Sequence, residues 1–243
     1  MTVTENILNF AATRGMTFRR RDLLHDLLSK QNTIKKRAVD LQISRLIDSG
    51  ILIRKRYGEY QLAQNSLPEF VLRLSETEKN IYQMLKEQFP FLDMCIWSPK
   101  VLSAYMHHVP NVGYVFIDVE KDGMEPVFHA LQNMNLKRGI LLSPTSQECE
   151  RYLTGMDTIV VRQLIGQSPL TVVDGCTVPR IEKILVDAID DNELFFASGS
   201  EIYNIFKNVR ENNNVNMSKL MRYASRRNRK EQVEKILHAI DHD

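Results

Sequence analysis

AVDLQISRLIDSGILIRKRYGEYQLA, residues 38–63, contains a helical pattern, a glycine and two strand patterns in succession. Apolar residues in its first half recur at the spacing of a single helix face. They are Val39, Ile43, Leu46 and Ile47, and the opposite face of the same helix carries Arg37, Leu41, Ser44 and Arg45. Gly50 is expected to end this helix, because glycine adopts the left-handed conformation without the steric penalty of a Cβ atom.

The second half of the stretch predicts a β-hairpin. Residues 51–54 and 60–62 combine apolar, basic and aromatic side chains and are interpreted as two short strands. The segment between them, residues 55–58, is basic and ends in a glycine that tolerates positive φ. These residues therefore form the predicted tip of the hairpin.

Two further helices are predicted upstream. Residues 4–13 and 19–29 both show the apolar spacing of a helix, and Thr33 is the expected N-cap of the helix that follows. Three short helices followed by a hairpin resemble a winged helix-turn-helix. In proteins of that class the third helix enters the major groove of DNA and the wing touches the DNA backbone.

Charge is distributed unevenly along the chain. Residues 1–65 contain 12 Lys and Arg against 6 Asp and Glu, a net charge of +6, whereas the whole chain carries only +2. The remaining 178 residues therefore carry a net charge near −4. A polyanionic partner of the first segment accounts for this asymmetry, because each phosphate contact releases condensed counterions. The alternatives are a solvated basic surface or a winged helix that binds only protein.

Length and composition are those of a globular protein. A chain of 243 residues, 43% hydrophobic and 26% charged, is expected to form about two domains. The first ten residues lack a signal-peptide pattern, and no stretch approaches the ~18 apolar residues of a membrane span, so a cytoplasmic location without membrane contact is expected. Cys95, Cys149 and Cys176 are scattered without a C-x-x-C pair, which predicts three buried thiols rather than a disulfide or a zinc site.

The second domain is predicted to begin near residue 68, so that the two domains are residues 1–67 and 68–243. Residues 63–70, AQNSLPEF, form a polar connector that contains a proline. After it, Ser75 and Glu78 have the spacing of a capping box at the start of a helix over residues 76–89.

Beyond that helix, short apolar runs alternate with helical patterns, as in an α/β domain. Strands are expected at residues 94–97, 113–120, 139–143, 158–161 and 170–173, and helices at 99–107, 125–134, 146–154, 181–189, 200–212 and 217–240. The strand runs are too apolar for a sheet that is solvated on one face. A mixed or parallel sheet covered by helices is therefore predicted.

One candidate catalytic motif is Asp118 with Glu120, because carboxylates at alternate positions of a strand are typical of metal-dependent nucleases. The sequence lacks the further pattern of restriction-type nucleases, an acid, one spacer and a lysine on the following strand. Both carboxylates are therefore expected at the exposed edge or end of a strand. Ser198 and Glu201 are interpreted as another capping box. No catalytic residue, metal ligand or cofactor is predicted.

A second basic segment covers residues 214–230. It contains six cations and no acid, namely Lys219, Arg222, Arg226, Arg227, Arg229 and Lys230. On one continuous helix Lys219, Arg222, Arg226 and Arg229 would share a stripe. Either an anionic partner neutralises them, or the acids of the same domain do so, and those acids are Asp187, Asp190, Asp191 and Glu193.

Three motifs in the last third carry a resemblance to a known family. They are VPRIEKILVDAIDD at residues 178–191, SEIYNIF at 200–206 and NMSKLMRYASRRNRKEQVEKIL at 216–237. Together with the predicted winged domain they resemble the AbiE-type abortive-infection antitoxins. The resemblance implies that the first domain binds and represses the DNA upstream of its own operon. It also implies that the second domain neutralises a nucleotidyltransferase-like toxin.

Carried over to this sequence, the resemblance implies two sets of contact residues. DNA contact is expected at Lys35, Lys36, Arg37, Ser44, Arg45, Arg54, Lys55 and Arg56. Partner contact is expected at Lys219, Arg222, Tyr223, Arg226 and Arg229, and Glu182, Lys183 and Asp187 mark a further antitoxin-type helix.

The sequence thus predicts a cytoplasmic, bacterial, DNA-binding regulator that is the autorepressing antitoxin of a toxin–antitoxin pair and is not an enzyme. A homodimer would suit a palindromic operator. Two alternatives stay open: a metal-dependent nuclease that a winged domain directs to DNA, and a repressor that senses a ligand in its α/β domain.

Overall fold

The computed structural model shows two compact units, Met1–Pro68 and Glu69–Asp243. The division falls one residue from the boundary expected from the sequence. Both units combine helices and strands, so the predicted mixed α/β class is confirmed. The structure describes residues 2–13, 17–30, 35–63, 67–108, 111–153, 157–189, 194, 197 and 199–242.

Unit 1 contains the three predicted helices and the predicted hairpin. Its elements are α1 (Val3–Thr13), β1 (Thr17–Arg19), α2 (Arg20–Lys30), α3 (Lys36–Asp48), β2 (Leu52–Arg56) and β3 (Glu59–Leu62). Strand β1 was not predicted, and it completes an antiparallel sheet of order β1-β3-β2. Phe18 on β1 packs against Phe10 and Tyr60, with ring centroids 5.9 and 5.7 Å apart. These contacts join the sheet to the helices through one aromatic core.

Helix α3 has the face that its sequence pattern predicts. Val39, Ile43 and Leu46 are buried, and the helix is followed by Gly50 at a φ of 74°, as expected for a glycine that ends a helix. The expected cap, Thr33, lies outside the described residues. The N-cap position is held by Lys35, which makes no side-chain cap hydrogen bond, so that prediction is wrong.

The hairpin is longer than predicted. Lys55 and Arg56 belong to β2, and the two-residue tip is Tyr57 and Gly58. The register of the β2–β3 pair shifts between Arg54 and Arg56, which marks a β-bulge at Lys55. A bulge increases the local twist of a strand and re-aims its side chains.

Unit 2 begins with the predicted capping box. The Ser75 hydroxyl accepts a hydrogen bond from the Glu78 backbone N–H at 3.3 Å, and the Ser75 N–H donates to Glu78 Oε2 at 2.7 Å. The elements that follow are α4 (Glu76–Gln88), β4 (Met94–Trp97), a 3-10 helix (Pro99–Tyr105), β5 (Val115–Val119), a 3-10 turn (Lys121–Gly123), α5 (Met124–Asn133), β6 (Gly139–Leu142), α6 (Ser146–Tyr152), β7 (Thr158–Gln163), β8 (Leu170–Val173), β9 (Cys176–Pro179), α7 (Ile181–Asp187), α8 (Ser200–Asn212), α9 (Met217–Arg226) and α10 (Lys230–Asp241).

The main sheet of unit 2 has the order β4-β5-β7-β6. Strands β4 and β5 are antiparallel, whereas β7 is parallel to both of its neighbours, so the predicted mixed sheet is confirmed. Strand β8 is not part of this sheet. It forms a separate antiparallel pair with β9, a strand that was not predicted. Cys95, Cys149 and Cys176 are all buried thiols, as predicted.

Three local predictions for unit 2 are wrong. Residues 99–105 form a 3-10 helix, and the helix expected over 217–240 is broken between Arg226 and Lys230, where Asn228 has a φ of 55°. Ser198 lies outside the described residues, and the N-cap of α8 is Gly199. Glu201, the expected partner in that capping box, instead accepts a hydrogen bond from the His107 backbone N–H at 3.1 Å and lies 2.9 Å from His108 Nδ1.

Helix α7 runs through the interior of unit 2. All seven of its residues, Ile181–Asp187, are buried, including Glu182, Lys183 and Asp187. Charged side chains in such a helix need partners, because an unpaired buried charge is strongly unfavourable. No helix within the described ranges is long and apolar enough to cross a membrane.

Candidate nucleic-acid interface

The outer face of α3 is exposed and basic. Its apolar stripe packs into unit 1, and this burial turns the opposite stripe toward solvent. The exposed side chains at the start of and along this face are Lys35, Lys36, Arg37, Leu41, Ser44 and Arg45. All five residues that were predicted here to contact DNA are therefore accessible, with Leu41, 54% exposed, as an apolar residue among them.

The hairpin adds a second exposed basic surface. Arg54, Lys55 and Arg56 are all exposed on β2, and Tyr57 at the tip is 95% exposed. The Arg54 guanidinium lies 5.3 Å from the centroid of the Tyr57 ring, which is the geometry of a cation–π contact. The hairpin thus presents three cations and an aromatic ring.

Seven exposed cations lie on these two surfaces. None of them forms an ion pair with a carboxylate in the part of unit 1 that the structure describes, where Arg20 pairs with Asp40 and Arg21 with Asp22. The seven are Lys35, Lys36, Arg37, Arg45, Arg54, Lys55 and Arg56. Exposed charges of one sign add up to a local field that attracts a polyanion.

Arg20 holds the two basic surfaces together. Its guanidinium donates two hydrogen bonds to Asp40 of α3, Nε to Oδ1 at 2.6 Å and Nη2 to Oδ2 at 2.8 Å. Its backbone N–H donates to the Gly58 carbonyl at the hairpin tip at 2.8 Å. The hydrogen bond from Arg20 lowers the pKa of Asp40, so this carboxylate stays ionised and bound. A single residue of α2 therefore fixes α3 relative to the hairpin.

Asp118 of unit 2 is not at an exposed strand edge, and that prediction is wrong. It lies on β5, which is paired on both sides, and is only 1% exposed. Its Oδ1 accepts a hydrogen bond from Arg162 Nε at 2.8 Å, and its Oδ2 accepts from Lys183 Nζ at 2.7 Å and Trp97 Nε1 at 3.0 Å. The carboxylate is fully occupied by side chains of the same unit.

The same contacts continue to Asp187. Lys183 Nζ donates to Asp187 Oδ2 at 2.5 Å, and the Tyr223 hydroxyl donates to Asp187 Oδ1 at 2.9 Å. Arg162 and Arg227 approach the same carboxylate at 3.7 and 3.6 Å. We call Asp118, Arg162, Lys183 and Asp187 the buried charge cluster.

The buried charge cluster is balanced, with two anions and two cations. Burial alone would raise the pKa of Asp118, but Arg162 and Lys183 lower it well below its ordinary value. Burial alone would lower the pKa of Lys183, but Asp118 and Asp187 raise it well above its ordinary value. Asp118 and Lys183 therefore both stay charged near neutral pH, and each stabilises the ionised form of the other.

This geometry gives no support to a nuclease site at Asp118 and Glu120. Glu120 lies beyond the end of β5, is exposed, and accepts a hydrogen bond from the Asp93 N–H at 3.1 Å. Among the residues that the structure describes, no three Asp, Glu, His or Cys side chains are grouped so that they could hold a metal ion. The nuclease alternative is left without its proposed carboxylate pair.

The expected partner surface on α9 is only partly present. Arg222 and Arg226 are exposed, and Lys219 is half-buried. Tyr223 is 2% exposed and bound to Asp187, so it lies in the core, and Arg229 lies beyond the end of α9. Arg227 faces Asp187, as the alternative of internal neutralisation expects, whereas Asp190, Asp191 and Glu193 lie outside the described residues.

A comparison with protein families places most of the chain in one of them. Residues 38–243 match a family described as a family of unknown function, DUF6577. The chain belongs to this family. The DUF6577 match starts in α3 and includes the hairpin together with unit 2. Because the family description names no activity, it assigns none to the basic surfaces of unit 1 or to the surface of α9. A comparison with curated proteins found no match to the chain.

Proposed function

We propose that this protein is a transcriptional regulator that binds double-stranded DNA through unit 1. The observation that carries the proposal is the set of seven exposed cations on α3 and the hairpin, none of them paired with a carboxylate in the described part of unit 1. The order of elements, with three helices and an antiparallel hairpin after the third, is typical of a winged helix-turn-helix. The proposal includes a cytoplasmic location and a homodimer on a palindromic operator.

Helix α3 has the size and surface of a recognition helix. Its 13 residues span about 20 Å, and a major groove about 12 Å wide admits such a helix. In this arrangement Lys36 contacts phosphates, while Arg37 and Arg45 reach base edges or the flanking phosphates. Leu41, at the middle of the exposed face, is placed to contact a thymine methyl group.

DNA is favoured over a protein partner because of the chemistry of this surface. The cores of protein interfaces are depleted of charged side chains and contain apolar anchors. The outer face of α3 instead carries four cations for one exposed leucine, and the hairpin carries three more. A surface of that composition gains most from phosphate groups, whose counterions are released on binding.

Replacing Lys36, Arg37 and Arg45 together with alanine is expected to weaken binding to the DNA upstream of the coding sequence. The dissociation constant should rise on the order of ten- to a hundredfold, because the variant can contact neither the phosphates nor the bases that these side chains reach. The slope of log K against log salt concentration should also flatten by about one for each phosphate that the variant no longer neutralises. Fluorescence anisotropy with a labelled duplex measures both quantities.

The matched control replaces three exposed cations of unit 2, Lys121, Lys137 and Arg151, with alanine. This control removes the same charge from the chain but should keep wild-type affinity. Circular dichroism verifies that both variants fold. Equal affinity of the α3 variant and wild type would refute the proposed role of α3.

The resemblance to AbiE-type antitoxins extends the proposal to unit 2, which would counter a nucleotidyltransferase-like toxin. Arg222 and Arg226 are the exposed cations of α9 that remain available for such a contact. When a toxin encoded beside this gene is expressed and arrests growth, co-expression of this protein should restore growth. Replacing both arginines with alanine should reduce this rescue. Rescue that is unchanged by these substitutions would exclude the α9 surface, and no rescue by the wild type would exclude the antitoxin role.

A further inference from the structure

A basic cleft lies beside α3 in unit 1. It has a volume of about 750 Å³ and lies between the end of β1, the beginning of α2 and the hairpin. Five arginines and the tyrosine of the hairpin tip line it, namely Arg19, Arg20, Arg21, Arg54, Arg56 and Tyr57. Arg19, Arg20 and Arg21 are not among the DNA-contacting residues expected from the sequence, so the cleft is a feature that only the fold reveals.

Pairing between strands brings the arginines of the cleft together. In the sheet Glu59 of β3 lies opposite Arg19 of β1 on one side and opposite Arg56 of β2 on the other. Residues directly opposite each other in an antiparallel pair have Cβ atoms about 5 Å apart. Two cations from distant parts of the chain are thus held on either side of a single carboxylate.

The cleft has a surplus of positive charge. Its five arginines face two carboxylates, and one of these, Asp40, is already bound by Arg20 in two hydrogen bonds. Arg19, Arg54 and Arg56 are exposed and make no ion pair with any carboxylate that the structure describes in unit 1. Arginine side chains that line one cleft repel each other, and an anion with several oxygens would relieve the repulsion.

The position of the cleft links it to the proposed DNA-binding face. Asp40, which lines the cleft, lies three residues after Arg37 and four before Ser44, so the three share one side of α3. A duplex whose major groove receives α3 would carry one of its backbones past this side of the helix. The ligand nearest to the cleft would then be a backbone phosphate.

We propose that the cleft binds a backbone phosphate of the DNA duplex, with Arg19 and Arg56 as its direct ligands. This inference rests on the proposed DNA-binding function. Arg20 acts as a positioning residue, because its bonds to Asp40 and to the Gly58 carbonyl hold the cleft open between α2 and the hairpin. Arg54 is turned to the tip of the hairpin, where it stacks on Tyr57.

The test uses the full chain and a labelled duplex taken from the DNA upstream of the coding sequence, trimmed to the region that the protein protects from cleavage. Arg19→Ala should raise the dissociation constant about five- to tenfold and flatten the salt slope by about one. Arg19→Lys, which keeps the charge but not the fork of donors, should recover part of the affinity. Arg151→Ala, which removes an exposed arginine of unit 2, should bind like wild type.

Neutral methylphosphonate groups, placed one at a time along the backbone, identify the phosphate. At one position the substitution should weaken wild-type binding but should not weaken binding by Arg19→Ala further, because both changes remove the same interaction. If Arg19→Ala binds like Arg151→Ala while the triple α3 variant has reduced affinity, the cleft is not a phosphate site although the protein binds DNA. If the wild type does not bind the duplex, both proposals are overturned.

Discussion

Replacing Lys183 with methionine should lower the free energy of unfolding of unit 2 by about 3–5 kcal/mol, the typical cost of removing one partner from a buried ion pair. The substitution leaves two carboxylates, Asp118 and Asp187, in the interior. Arg162 is then the one remaining cation of the buried charge cluster. Trp97 is the only tryptophan of the chain, is buried, and donates a hydrogen bond to Asp118. Its fluorescence during urea denaturation therefore reports the unfolding of unit 2 in particular.

A matched control exists on the surface. Lys235 pairs with Glu231 at 2.7 Å with the same four-residue separation as Lys183 and Asp187, but both members of this pair are exposed. Lys235→Met should leave the urea midpoint unchanged, because solvent screens an exposed pair. Equal midpoints for the two variants would mean that the buried lysine contributes no more than a surface charge.

Acidification should destabilise unit 2 through Asp118. Burial alone would raise the pKa of this carboxyl, but Arg162 and Lys183 lower it well below the unfolded value of about 3.9. Unfolding below that value takes up a proton. The stabilisation by Asp118 is therefore complete above about pH 4 and declines as the pH falls toward the lower pKa of the folded state. Urea midpoints from Trp97 fluorescence, measured from neutral to strongly acidic pH, test this dependence.

Asp118→Asn provides the comparison for the acid dependence. At neutral pH the variant should be less stable than wild type, because Arg162 and Lys183 lose a charged partner. Below about pH 4 the two stabilities should draw closer as the pH falls, because the unfolded wild-type chain binds a proton at Asp118 that the folded chain binds only at still lower pH. Parallel curves for the two proteins would show that other carboxyl groups cause the loss of stability in acid.

Local sequence patterns predicted most of the elements. The apolar spacing of α3, the strand runs of β4 to β8 and the Ser75 capping box are set by residues within a few positions of each other. Strand β1 was missed because its three residues are too few for a clear alternation, and β9 because it ends in a proline, which argues against a strand. The break after α9 does have a local signal, since Asn228 tolerates the left-handed conformation that ends a helix.

The environment of the charged residues could not be predicted in the same way. Asp118 contacts Arg162 and Lys183 across 44 and 65 positions of the chain, and its burial depends on the order of strands in the sheet. The exposed cations of α3 could be predicted because helical periodicity assigns them to the surface, and those of the hairpin because three consecutive cations are rarely buried. The bonds from Arg20 to Asp40 and the basic cleft required the pairing of β1 with β3, which no local pattern indicated.

The position of Tyr223 in the fold has a consequence for synthesis of the chain. Asp187 accepts a hydrogen bond from the Tyr223 hydroxyl on α9 and lies 3.6 Å from Arg227, just after the end of α9. Helix α9 leaves the ribosome about thirty residues after α7. Until α9 docks, Asp187 lacks the hydrogen bond from Tyr223 and the approach of Arg227, so we expect the interior of unit 2 to be completed only after this late part of the chain has been made. Premature termination before this helix would leave a product that chaperones and proteases can recognise as incomplete.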